Sequence, residues 1–172
     1  MTDDQEHDYL AYAGGRIPAL RRLAILLCGD DDQADDLVQE TITKLYAVWP
    51  RTSKVENLDA YTHAMLVRVF LDDRRRGWWK VRLFGAAPEP PAPPAASSDD
   101  RAVVRAALAQ VSHRQQAVLV LRFIYDLPIA EVAQILGCSV GTVKSQTSRG
   151  LSTLRRLLGD RAFTQVGSGG AR

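Results

Sequence analysis

The sequence predicts an all-α protein made of two small helical domains joined by a proline-rich linker. Three observations carry this. Apolar residues recur at three-four spacing on both sides of the middle of the chain, which is the period of an amphipathic helix. Neither flank shows the strict alternation of a half-buried strand. Between them, residues 84–98 hold five prolines, which remove backbone donors and forbid helix, with too little apolar mass to pack.

In the first block, Leu20, Leu23, Ala24 and Leu27 form one apolar stripe. Gly29 and Asp30 end that helix, and the carboxylates of residues 30–32 supply N-caps for the next. There Ala34, Leu37, Val38, Thr41, Ile42, Leu45, Tyr46 and Trp49 keep the helical period until Pro50 is expected to stop it. Residues 51–59 read as a polar loop. A third helix is expected over residues 58–80, with Tyr61, Met65, Leu66, Val69 and Phe70 inward. Three helices on one core suit this length, so the first domain is placed at residues 1–81 and the linker at 82–99.

The second domain, residues 100–161, opens on Asp99 or Asp100 as an N-cap. Val103, Val104, Ala107, Leu108 and Val111 make its first amphipathic helix. Ser112 is placed to cap a second, with Ala117, Val118, Leu121 and Ile124 inward. Two further helices follow over residues 128–136 and 140–158. Residues 162–172, glycine-rich at the end, read as a flexible tail.

Composition bounds the function. With 46% hydrophobic and 24% charged residues the chain reads as a soluble globular protein. No apolar run approaches the ~20 residues that span a bilayer, so no membrane partner is expected. The acidic, polar start is unlike a secretory signal. Cys28 and Cys138 stand far apart without clustered ligands, which argues against a metal site or a disulfide and suits a cytoplasmic location. The three histidines, His7, His63 and His113, have no nearby nucleophile, and there is no glycine-rich phosphate loop. No catalytic residue, metal or cofactor is therefore expected, and the chain is not read as an enzyme. The overall charge of +2 hides an asymmetry. Residues 1–80 carry 11 basic against 14 acidic side chains, whereas residues 100–172 carry 10 against four, a net of +6. The second domain is the place to look for a polyanion.

A helix-turn-helix pattern lies in that domain. Pro128 is read at the first helical position, Ala133 is small where two helices cross, and Gly137 follows the first helix where a positive φ is needed. Ser139 caps the next helix, and Val143 returns to the core. The outer face of this second helix carries Thr142, Lys144, Ser145, Gln146, Ser148 and Arg149, short polar and basic side chains suited to base edges and phosphates. Leu151, Leu154, Leu157 and Leu158 hold its far half to the core, with Arg155 and Arg156 outward. On the residues alone, a dimeric transcription regulator with a sensing domain shares this motif.

With these residues in view, the chain resembles the extracytoplasmic-function (ECF, group 4) sigma factors of bacterial RNA polymerase, in particular an actinobacterial SigE-like branch whose first domain begins much like residues 20–30. The resemblance covers residues 8–82 and 100–160, with the linker matching in kind. Ala34-Asp35-Asp36-Leu37-Val38-Gln39-Glu40-Thr41 is similar to the family's AEDLVQET signature. It implies that Asp35, Asp36, Gln39 and Glu40 face the clamp helices of the polymerase β′ subunit. Residues 141–150 are similar to the family's recognition helix for the −35 element, and membership of the family implies the β flap as a further contact of the chain on core polymerase. Gln146 stands where such helices usually carry Arg, so a phosphate contact is lost or becomes a neutral hydrogen bond.

The resemblance further implies that the first domain opens the −10 element through Asn57, for an extruded base, and a basic helix face of Arg68, Arg74, Arg75, Arg76 and Lys80. Base extrusion must be offset by pocket and phosphate contacts. Trp78 and Trp79 either stack on bases or pack against the linker or polymerase. The linker, about 45 Å long if extended at ~3.1 Å per residue, is either an ordinary tether or a strand threading the RNA-exit path. The partners implied are core polymerase, promoter DNA and, in many such proteins, an anti-sigma factor.

Overall fold

The computed structural model describes residues 2–84 and 100–159, and of residues 76–84, 100 and 101 only the backbone. The expected linker beyond residue 84, an N-cap at Asp99, and the expected tail lie outside the described residues. Seven α-helices and no strand occur among the described residues: α1 (Asp3–Cys28), α2 (Asp31–Thr52), α3 (Leu58–Phe84), α4 (Asp100–Ala109), α5 (His113–Leu119), α6 (Ile129–Leu136) and α7 (Val140–Leu158). A π-helical turn, Val120–Ile124, extends α5. The described helices fall into two units, α1–α3 and α4–α7.

In the first unit, α1 starts far before the apolar stripe. Thr2 and Gln5 form a capping box at its N-terminus, and the helix runs through Pro18 to Gly29, which at φ 72° closes it in the left-handed region. Asp30 caps α2 through Gln33 N–H at 2.8 Å. Pro50 does not stop α2. It removes only its own N–H, while Ser53 N–H still donates to the Trp49 carbonyl at 2.9 Å and the Thr52 hydroxyl to that of Val48 at 3.1 Å. The helix thus gains part of a turn, and the loop expected over residues 51–59 shrinks to residues 53–57. Asn57 opens α3, its Oδ1 accepting from Ala60 N–H at 3.0 Å. The core holds Leu20, Leu23, Leu27, Leu45, Leu66, Val67 and Phe70, all essentially sealed from solvent. Tyr46, expected inside, is 42% exposed, its ring edge-on to Tyr9.

In the second unit the core is Ala107, Leu108, Val111, Ala117, Val118, Leu121, Val132, Val143 and Leu154. Four expected core positions lie outside it. Val103 and Val104 are about half exposed, because α4 packs through Ala102, Ala107 and Leu108 instead. Ile124 is turned out by the π-turn: Tyr125 N–H bonds the Val120 carbonyl five residues back, which rotates Phe123 and Ile124 into solvent. Leu157 is also outward, near the end of α7.

Candidate nucleic-acid interface

The helix-turn-helix is built by its caps. Pro128 is the N-cap of α6 rather than its first residue: at ψ 150° it is extended, and its carbonyl accepts from Val132 N–H. Gly137, at φ 60°, lets Cys138 N–H reach back to the Ala133 carbonyl at 3.0 Å. Ser139 then caps α7, its Oγ accepting from Thr142 N–H at 3.1 Å and lying 2.9 Å from Thr142 Oγ1. Val143 is fully buried, which fixes the rotation of α7 about its axis.

That rotation sends Lys144, Ser145, Ser148 and Arg149 to solvent, with Thr142 and Gln146 half-buried at the edge of the same face. Thr142 also serves the cap, and Ser145 Oγ donates to the Thr142 carbonyl at 3.0 Å. Arg155 and Arg156 continue the basic face, and α7 contains no acidic residue. An exposed, cationic helix face with short hydroxylated side chains matches the needs of groove entry and phosphate contact. On its inner side Gly150 lets α7 close on α5, since a Cβ there would lie 2.9 Å from Leu119 Cδ1.

The first unit carries an acidic counterpart on α2. Asp35, Asp36 and Gln39 are exposed and Glu40 is half-buried. Asp35 accepts from Arg21 of α1 at 2.6 Å, Arg21 also reaches Asp31 at 2.9 Å, and Glu40 pairs with Lys44 at 2.8 Å. Asp36 and Glu40 border a cleft of about 130 Å³ whose other walls include Cys28, Gln33, Phe70, Asp73 and Arg74. Composition and spacing did not reveal this cleft. The one signal was Arg74 four residues after Phe70, a spacing that lays a guanidinium on a ring.

Arg74 sits 5.6 Å over the Phe70 ring and donates to Gln33 Oε1 at 2.5 Å, while its Nε is buried without a partner. It is thus held inward, apart from the exposed Arg68 and Arg75 with which it was grouped, and Arg75 lies 3.7 Å from Asp72. The side chains of Arg76, Trp78, Trp79 and Lys80 lie outside the described residues. Asn57, exposed, spends its Oδ1 on the α3 cap. Burial pushes the Cys28 thiol up to about 11, against the opposing pull of the Arg74 guanidinium. No cluster of three or more His, Cys, Asp or Glu able to hold a metal occurs among the described residues, and no described helix is long and apolar enough to cross a membrane.

Comparison with known proteins accounts for both units. Residues 16–80 match the family model for sigma-70 region 2 and residues 101–154 that for sigma-70 region 4. The chain is 33% identical to the ECF RNA polymerase sigma factor EcfG of Rhodopseudomonas palustris, over 92% of this chain and 87% of that protein. It is 31% identical to the RNA polymerase sigma-E factor of Streptomyces coelicolor, over 88% and 86%. Among solved structures it is similar, at a TM-score of 0.71 and 31% identity, to the sigma factor RpoE of Bartonella quintana in complex with the anti-sigma factor NepR, covering 91% of this chain and 98% of that one. With a region 2 match on the α1–α3 unit and a region 4 match on the helix-turn-helix unit, the chain belongs to the ECF sigma factors of RNA polymerase.

Proposed function

We propose that this chain gives core RNA polymerase its promoter preference, holding the enzyme with α2 and reading DNA with α7, with no chemistry of its own. The single observation that carries the reading is the pairing, on one chain, of an outward acidic α2 face with a capped, acid-free recognition helix. A stand-alone DNA-binding regulator needs only the second. Asp35, Asp36, Gln39 and Glu40 are assigned to the clamp helices of β′. The loop at Asn57 and the outward cations of α3, led by Arg68 and Arg75, are assigned to the opened −10 strand. Thr142, Lys144, Ser145, Gln146, Ser148 and Arg149 are assigned to the −35 duplex. The division of labour runs between residues 1–81 and 100–161, and the site of action is the cytoplasm. The sigma-E relatives support a place near the actinobacterial SigE-like branch, and the Bartonella complex supports an anti-sigma factor as a further partner.

The test is run-off transcription with purified core enzyme over a genomic fragment library, with a gel-shift in parallel. Promoter-specific transcripts that need the chain, and a specific shift that needs core enzyme, are expected. No specific transcript from any fragment, or tight specific duplex binding by the chain alone, would overturn the reading.

A further inference from the structure

The N-terminal half of α1 carries a face that its own unit leaves uncovered. Asp3, His7, Leu10, Gly14, Ile17 and Arg21 follow one another at alternating four- and three-residue steps, which places them along one line of the helix. Leu10 is 61% exposed and Ile17 37%, while the core contacts of α1 run through Tyr9, Ala13, Leu20 and Leu23 on another side. Between the two apolar side chains Gly14 leaves a hollow on the helix surface. A Cβ at Gly14 or Gly15 would meet nothing within 4 Å, so no contact inside the unit asks for glycine there. Pro18 also lies inside the helix and is exposed. Two glycines and a proline each weaken a helix, and the packing of this unit supplies no reason for the glycines.

The charges along α1 point to what covers the face. Asp3, Asp4, Glu6 and Asp8 fill its start, and Arg21 and Arg22 lie near its end. Asp3 to Arg21, and Asp4 to Arg22, are separations of 18 residues, or about five turns at 3.6 residues per turn, so each acid shares a helix line with its base. In an antiparallel pair of such helices each line meets itself reversed. A two-fold axis near Tyr12 therefore sets Asp3 against Arg21 twice over, and leaves Asp4 two residues, about 3 Å, out of step with Arg22, within reach of an arginine side chain. The same register seats Leu10 of each copy over the Gly14 hollow of the other. Parallel pairing would set acid against acid.

We propose that α1 is a self-association surface, on which a second copy of this chain docks antiparallel through Leu10, Gly14 and Ile17, with Asp4–Arg22 pairs closing both ends. Arg21 already serves Asp31 and Asp35, so Arg22 is the sharper probe of the two. One pair of crossing helices lies at the small end of protein interfaces, so the dimer is weak and exchanging.

Sedimentation velocity of the full chain tests this, run from about 5 to 200 µM and at about 50 and 300 mM salt. A monomer–dimer equilibrium is expected, weaker at the higher salt. Leu10→Glu and, separately, Gly14→Leu should each raise the dissociation constant roughly tenfold or more, with circular dichroism unchanged or, for Gly14→Leu, more helical. That last variant separates a packing role for Gly14 from a helix-weakening one. Arg22→Asp should weaken the dimer, and adding Asp4→Arg should restore it. A wild-type monomer throughout, a dimer indifferent to both apolar-face variants, or a charge swap that fails to restore association would each overturn the proposal.

Discussion

At Gly150 the absent side chain governs how closely α7 approaches α5. A Cβ built there lies 2.9 Å from Leu119 Cδ1 and 3.2 Å from its Cγ, and Leu119 is itself 3% exposed, with little room to yield. Two effects compete in Gly150→Ala. Alanine gains about 1 kcal/mol of helix propensity over glycine, while overpacking a filled core costs about 1–3 kcal/mol. The overpacking is expected to win, because Leu119 is buried and its branch point Cγ is itself only 3.2 Å away, so turning the clashing Cδ1 methyl aside does not relieve the contact. Chemical denaturation should show the second unit losing roughly 1 kcal/mol; a more stable variant would mean that Leu119 rotates away without penalty.

At the scale of elements, α1 is clasped to α3 by groups that titrate. Tyr12 donates to Asp59 at 2.9 Å, Arg16 pairs with Asp59 at 2.8 Å, and His63 lies beside both charges. Burial lowers the basicity of His63 below its usual value of 6.5, Asp59 opposing and Arg16 reinforcing the shift. The unfolded chain therefore takes up this proton first, so the stability contribution is full above about pH 6.5 and is lost as pH falls. Cys28, pushed up to about 11 from 9.0, and Tyr9 and Tyr12, raised chiefly by burial, act oppositely: the unfolded chain ionises first, and stability is lost as pH rises past about 9. Stability of the first unit should be flat between about pH 7 and 8.5 and fall on both sides. An NMR titration that puts His63 at or above 6.5, or an acid limb between pH 7 and 5 unchanged in His63→Gln, would contradict this.

The same elements show what a sequence makes legible. Caps are local: Asp30, Ser112, Gly137 and Ser139 act on neighbours a few residues away, and each does in the structure what its type and spacing imply. Helical period also served where one stripe met one core, as with Leu37, Val38 and Leu45. It failed at Ile124, because a π-turn adds a residue and rotates the face, and at Val103 and Val104, because the choice between two apolar faces of α4 depends on what packs against it. Pro50 misled because a proline near a helix end removes only one bond. The outward face of α7 was legible because Val143 and Ser139 fix its rotation. The inward turn of Arg74 was legible only through its spacing from Phe70, since the Gln33 that holds it lies 41 residues away.

At the scale of the whole molecule, the two units have separate cores, so the two grips on a promoter complex proposed for them should fail independently. Asp36→Ala with Gln39→Ala removes an exposed carboxylate and an exposed amide from α2 without touching Leu37, Val38 or Thr41, which hold that helix in its core. Arg149→Ala removes a cation from the outer face of α7, while Val143, Gly150 and Leu154 keep the helix in place. On the proposed assignment, the α2 double variant should lose in a competition assay for core enzyme while, once bound, preferring the same promoters. Arg149→Ala should compete normally for core enzyme. Its promoter binding should show a log–log salt slope shallower by about 0.9, the loss of one released counterion. Distant, independent sites add, so the triple variant should show the sum of both losses. A change in core affinity in Arg149→Ala would show that α7 also bears on the polymerase. An unchanged slope would take Arg149 out of the phosphate footprint and leave the contact to Lys144, Arg155 and Arg156.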